Sequence, residues 1–190
     1  FGHFLRLTRQ IRARLGENRI SITDTVENAG FAPAPHMMLY HWNFGFPLLD
    51  EKVQLHFPAA RTQPRDEGVP LDGYDRWAVP DPSAVERVYY HTAIEADEAG
   101  RAHVRIRQPL FPVAGGQIDV QVRLSWSTDT LPHWVQWRMP GAGTHVLGIE
   151  PANCFVEGRT AERARGTLVT LAPGEKRTYQ LELDITTRIE

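Results

Sequence analysis

The chain has 190 residues, 42% of them apolar and 23% charged, with a formal net charge of −2. That apolar content with so little net charge excludes disorder as the main state, and near-neutrality argues against a nucleic-acid binder. No run of about 18 apolar residues occurs, so no membrane-spanning helix is expected, and the length is enough for one core.

Strand patterns dominate in chain order. Leu5, Leu7, Ile11, Ala13 and Leu15 fall on alternate positions, Gly16-Glu17-Asn18 offers a turn, and Ile20 and Ile22 resume the alternation. This predicts a β-hairpin with one apolar face buried. Met37 to Trp42 is a short apolar run that reads as a strand buried on both faces. Val53 to Phe57 alternates, and residues 59–84, rich in Pro, Gly and charge, read as one long loop. Val85–Ile94 and Ala102–Ile106 are strands around a Glu98–Arg101 turn. From Ile118 to Trp126 apolar and polar residues alternate strictly, so one face is buried. Trp134–Met139 and His145–Ile149 follow, and Pro151 is expected to stop the latter strand from pairing further. Only Ala161–Arg165 looks helical. Leu168–Leu171, a Pro173-Gly174 turn and Tyr179–Ile185 read as a closing hairpin. The expected fold class is all-β, an antiparallel β-sandwich. The chain starts at Phe1 inside a strand pattern. Residues 1–190 are therefore expected to be a single domain that is the C-terminal portion of a longer one.

Several chemistries lack their motifs. There is no G-x-S-x-G and there are only four serines, which argues against a serine hydrolase. No phosphate-binding Gly-rich loop, H-E-x-x-H or H-x-H occurs. Cys154 is the only cysteine, so neither an intrachain disulfide nor a multi-Cys zinc site can form. No metal and no cofactor are expected, and a reducing, cytoplasmic setting fits.

Two segments stand out. In Leu39-Tyr40-His41-Trp42-Asn43, a strand would place His41 and Asn43 on one face inside an apolar run, where polar groups need partners or a purpose. In Gly148-Ile149-Glu150-Pro151-Ala152-Asn153, Glu150 closes an apolar strand, where partial desolvation can raise a carboxyl pKa toward neutrality. Separately, each fits a structural role: a core histidine, or a carboxylate paired with Arg159 or Arg163. Together, one His and one Glu can serve as general acid and base without a metal. Trp137, Trp42 or Trp77 could give a sugar ring a flat surface.

At these segments the sequence resembles the galactose-mutarotase-like superfamily, in particular a branch of aldose 1-epimerase-like proteins. The matching stretches are Asp24-Thr25-Val26-Glu27-Asn28-Ala29-Gly30, Leu39-Tyr40-His41-x-Asn43-Phe44-Gly45-x-Pro47-Leu48-Leu49-Asp50, Trp137-Arg138-Met139, Gly148 to Asn153, Glu157-Gly158-Arg159 and Pro173-Gly174-Glu175. The resemblance implies a β-supersandwich, with His41 as general acid and Glu150 as general base for interconverting sugar anomers. It implies substrate contacts from Asn43, His91, Trp137, Asn153 and Arg159. Where the mutarotases carry an Asp just before the position of His91, this chain has Tyr90. The implied partner is a small-molecule sugar, with neither nucleic acid nor membrane. Two other readings stay open: a carbohydrate-binding sandwich without turnover, and a phosphosugar epimerase using Arg159, Arg163 and Arg165.

Overall fold

A computed structural model describes residues 2–188. The longest strands are amphipathic with period two, and they stack into two antiparallel sheets. The six-stranded sheet runs, in order, β1 (Leu5–Ala13), β2 (Arg19–Asn28), β13 (Lys176–Arg188), β9 (Gly116–Ser127), β8 (Arg101–Val113) and β5 (Gln54–His56). The five-stranded sheet runs β4 (Trp42–Gly45), β11 (Thr144–Ala152), β10 (His133–Gly141), β7 (Arg87–Thr92) and β6 (Arg61–Pro64). A small pair, β3 (Ala34–His36) with β12 (Val169–Leu171), closes one end. The one helix, α1, spans Arg159–Arg165.

The sheets meet on alternate residues, as the pleat requires. Val120, Val122, Leu124 and Trp126 of β9, Val104 and Ile106 of β8, and Leu181 of β13 face Trp134 of β10, Leu147 and Ile149 of β11, and Phe44 of β4. The other face of the five-stranded sheet carries Val88, Tyr90 and Val135, a small separate apolar cluster that Leu39, Trp137 and Phe155 flank. The candidate site lies on that outer face.

The structure departs from the sequence reading in several places. Residues 37–41 are not a strand; they cross from β3 to β4 with one isolated bridge, Leu39 to Ala152. The 59–84 stretch contains β6, because Arg61–Pro64 finds a partner edge on β7. Pro151 does not end β11, where it pairs with Trp134. Its carbonyl points away from β10 to accept the Tyr40 N–H, so the N–H that proline lacks falls on that side and the β10 ladder survives. The Pro173-Gly174 turn joins β12 to β13, but the two do not pair; β12 pairs with β3 and β13 with β2 and β9. The β1–β2 hairpin forms with Gly16 at φ 83 in its turn. Its apolar alternation is nonetheless largely exposed, with Leu7 at 50% and Ile11 at 62%.

Candidate functional site

The crossing segment 36–41 is held from inside by alternate residues. His36 Nε2 lies 2.6 Å from the Tyr179 hydroxyl, and Asn153 Oδ1 accepts the Met38 N–H at 2.7 Å. The Tyr40 hydroxyl donates to Asp24 at 2.7 Å, and Arg9 donates twice to the same buried carboxylate. Burial works against ionisation of Asp24, but the Arg9 and Tyr40 hydrogen bonds outweigh it and hold its pKa below the ordinary range. With 36, 38 and 40 anchored inward, Leu39 and His41 turn outward and both line a cleft of about 250 Å³.

Across that cleft stands Glu150 of β11. Its Oε1 lies 3.0 Å from His41 Nε2, with the Glu150 side chain 5% exposed and that of His41 43% exposed. Desolvation, with the nearby charge of Glu86 adding to it, pushes the Glu150 pKa up to about 7. Trp137 packs edge-on to His41 with ring centroids 5.8 Å apart. Its indole N–H donates to Glu86 at 2.8 Å, and Arg65 holds the other oxygen of Glu86 at 3.0 Å. Gly148 sits between the three site residues. A Cβ there would stand 2.9 Å from Glu150 Oε1, 3.0 Å from His41 Cε1 and 3.1 Å from Trp137 Cβ. Only a residue without a side chain leaves that space open.

The structure thus brings His41, Glu150 and Trp137 together. Asn43 is exposed on β4 directly across from Gly148, on the same face but outside the cleft lining. His91 is not there. It points into the sandwich at 1% exposure, its ring stacked 3.7 Å from Trp134, with Thr62 and Gln136 beside its two nitrogens. Burial drives its pKa down to about 3, as expected of a neutral core histidine. Asn153 is buried and engaged by Met38 and Tyr179, so it supports the His41 segment rather than facing the cleft. Arg159 is exposed at the start of α1, outside the cleft. Trp77 belongs to the core cluster, and half-buried Trp42 packs against it. Sequence reasoning missed Glu86 and Arg65. Their only signal is charge at the margins of the 59–84 stretch, which is silent about what folds back onto the sheet. No group of three or more His, Cys, Asp or Glu side chains could hold a metal among the described residues. No helix there is long and apolar enough to cross a membrane.

A family model described as a domain of unknown function, DUF4432, matches residues 1–185. The chain belongs to the DUF4432 family. No curated protein matches it. Among solved structures it is similar to a candidate aldose 1-epimerase from Klebsiella pneumoniae, with a TM-score of 0.80 and 23% identity over 95% of this chain and 46% of that one. A candidate aldose 1-epimerase from Escherichia coli K12 gives a TM-score of 0.64 and 18% identity over 97% of this chain and 61% of that one. A galactose mutarotase-like protein from Lactobacillus casei gives a TM-score of 0.57 and 15% identity over 97% and 70%. The fold of this DUF4432 chain is therefore the galactose-mutarotase-like β-sandwich. The chain spans about half the length of the Klebsiella structure.

Proposed function

We propose that this DUF4432 chain carries the acid–base pair of an aldose 1-epimerase-like isomerase, acting on a sugar without a metal. A shared fold does not specify a reaction; the reading rests on one local observation. A buried carboxyl with its pKa near 7 stands 3.0 Å from an accessible imidazole, in a cleft walled by an indole. The ring oxygen and the anomeric hydroxyl of a sugar share one carbon. An acid and a base that serve both must therefore stand side by side, as these two do.

In this mechanism Glu150, ionised, accepts the proton of the anomeric hydroxyl while His41 Nε2 delivers a proton to the ring oxygen. The C1–O5 bond breaks and C1 becomes an aldehyde. Rotation about C1–C2 exposes the other carbonyl face. Reclosure returns the proton from Glu150 to O1, and the ring hydroxyl gives its proton back to His41. Trp137 offers the C–H face of the sugar an apolar surface, its N–H being held by Glu86. The arginines of a phosphosugar reading are placed otherwise: Arg159 and Arg163 are exposed on α1, and Arg165 is paired with Glu157 and Glu162.

The 1–190 unit is proposed to be part of a larger sandwich, supported by the uncovered apolar side of β1 and the partial coverage of longer relatives. Saturation-transfer NMR on freshly dissolved aldoses tests the activity. Glu150→Gln and His41→Ala should each lower the exchange rate at least about 100-fold, in line with loss of a general acid or base. Wild-type rates in both variants would overturn the assignment.

A further inference from the structure

A second cleft of about 280 Å³ opens on the same outer face of the five-stranded sheet, lined by Arg61, Gln63, Tyr90, Thr92, Glu157 and Phe155 among others. It shares its floor strands with the first. Along β7, Val88 lies under the first cleft and Tyr90 under the second. Two residues along a strand advance roughly 6–7 Å, about the width of one sugar ring. Along the neighbouring edge, Arg65 lines the first cleft, and Gln63 and Arg61 line the second. The 155–157 segment forms the partition, with Val156 on the first side and Glu157 on the second.

The Tyr90 hydroxyl on the floor of the second cleft is sealed from solvent, with the Glu157 carboxylate and the Val156 backbone beside it, so the groups a ligand can reach are those around it. The surrounding groups are mixed. Arg61 donates and makes no ion pair among the described residues. Gln63 and Thr92 can donate or accept, and Glu157 only accepts. Arg165 is already neutralised by Glu157 and Glu162. A phosphate would meet the Glu157 carboxylate here, whereas hydroxyls on a ring would find both donors and acceptors.

We infer that this second cleft is a subsite for a polyhydroxyl unit attached to the reacting sugar, so that the substrate is a reducing disaccharide rather than a free aldose. The inference deepens the reading of His41 and Glu150 and rests on it for the position of the reacting ring. The test measures anomer exchange and binding on the full chain, using glucose and galactose against maltose, cellobiose and lactose. Thr92→Val and Gln63→Ala should leave monosaccharide exchange unchanged. Each should lower kcat/KM for the preferred disaccharide up to about tenfold, the scale of one lost hydrogen bond. Equal efficiency for monosaccharides and disaccharides, or equal losses on both in the two variants, would overturn the subsite while leaving the acid–base pair standing. If no sugar is exchanged, the acid–base reading falls and binding decides the subsite. Disaccharide binding that is tighter than monosaccharide binding and weakened in both variants keeps it; any other binding result removes it.

Discussion

At the scale of single residues, the site depends on what Glu150 is denied. At 5% side-chain exposure it lacks the hydration that would keep it ionised at low pH, and its pKa rises from 4.5 to about 7. Two consequences share that cause. As the base, Glu150 must be ionised, so kcat/KM for anomer exchange should fall as pH drops below about 7, and Glu150→Gln should abolish that limb. For stability the sign is the reverse of the usual carboxylate case. Between about 4.5 and 7 the folded chain binds the extra proton, so stability declines as pH rises through that window. The gap amounts to roughly 3 kcal/mol. Buried His91, with its pKa down at about 3, gains stability over the same rise in pH, so the Glu150 contribution is read as a difference: between pH 5 and pH 8 in urea unfolding the wild type should lose stability relative to Glu150→Gln. Gly148 sets the spacing of the pair. Gly148→Ala would push a methyl group against Glu150, His41 and Trp137. The expected result is a loss of exchange activity of about 10- to 100-fold with a smaller change in Tm, since misplacement by about an ångström suffices. His41 and Glu150 could be picked out of the sequence because polar residues inside apolar runs are conspicuous. His91 and Asn153 entered only as positions implied by the resemblance, and their burial and bonding partners come from segments distant in sequence, which pattern alone does not reveal.

At the scale of elements, β-strand alternation was the most readable signal. The 118–126 alternation matches the facing of β9, with Val120, Val122, Leu124 and Trp126 buried, although Ser125 on the opposite face is buried as well. Segments held by tertiary bonds were not readable. Residues 37–41 read as a strand because they are apolar, yet they are fixed by Asn153, Pro151 and Asp24 rather than by a ladder. The stretch after β6 is similar. It reads as open loop, but four of its carbonyls are captured: Pro70 by Tyr89, Tyr74 by Gln136, and Gly73 and Arg76 by the guanidinium of Arg138. Arg138 is 6% exposed and also lies over Trp77. Arg138→Met keeps the volume and leaves two carbonyls unpaired. It should destabilise the chain by about 2–4 kcal/mol. Amide exchange should accelerate across residues 70–77, while β8 and β9 keep their protection. Unchanged exchange in 70–77 would mean that the loop is held by its aromatic packing alone.

At the scale of the whole molecule, the two sheets are unequal, and that inequality has a physical consequence. The inner face of the six-stranded sheet extends past its partner at the β1 end. Leu7 lies opposite Val26 and Ile11 opposite Ile22 in the ladder, so both point to the core side. Val26 is buried, but Leu7 and Ile11 are 50% and 62% exposed, and Ile20 is 39% exposed beside them. Alternation in the sequence marked this face for burial, and within residues 2–188 nothing covers it. Exposed apolar residues along an edge strand, here on either side of Arg9 in its ion pair with Asp24, are a surface for association. The 190-residue chain alone should therefore self-associate with rising concentration in sedimentation velocity and bind an apolar dye. Leu7→Lys combined with Ile11→Lys should keep it monomeric and cut dye binding, with a change in unfolding free energy of less than about 1 kcal/mol, because both side chains are already half exposed. A wild-type chain that stays monomeric and dark to the dye would show that this surface is too small to drive contact. Such a result would also weaken the proposal that further strands complete this sandwich at β1.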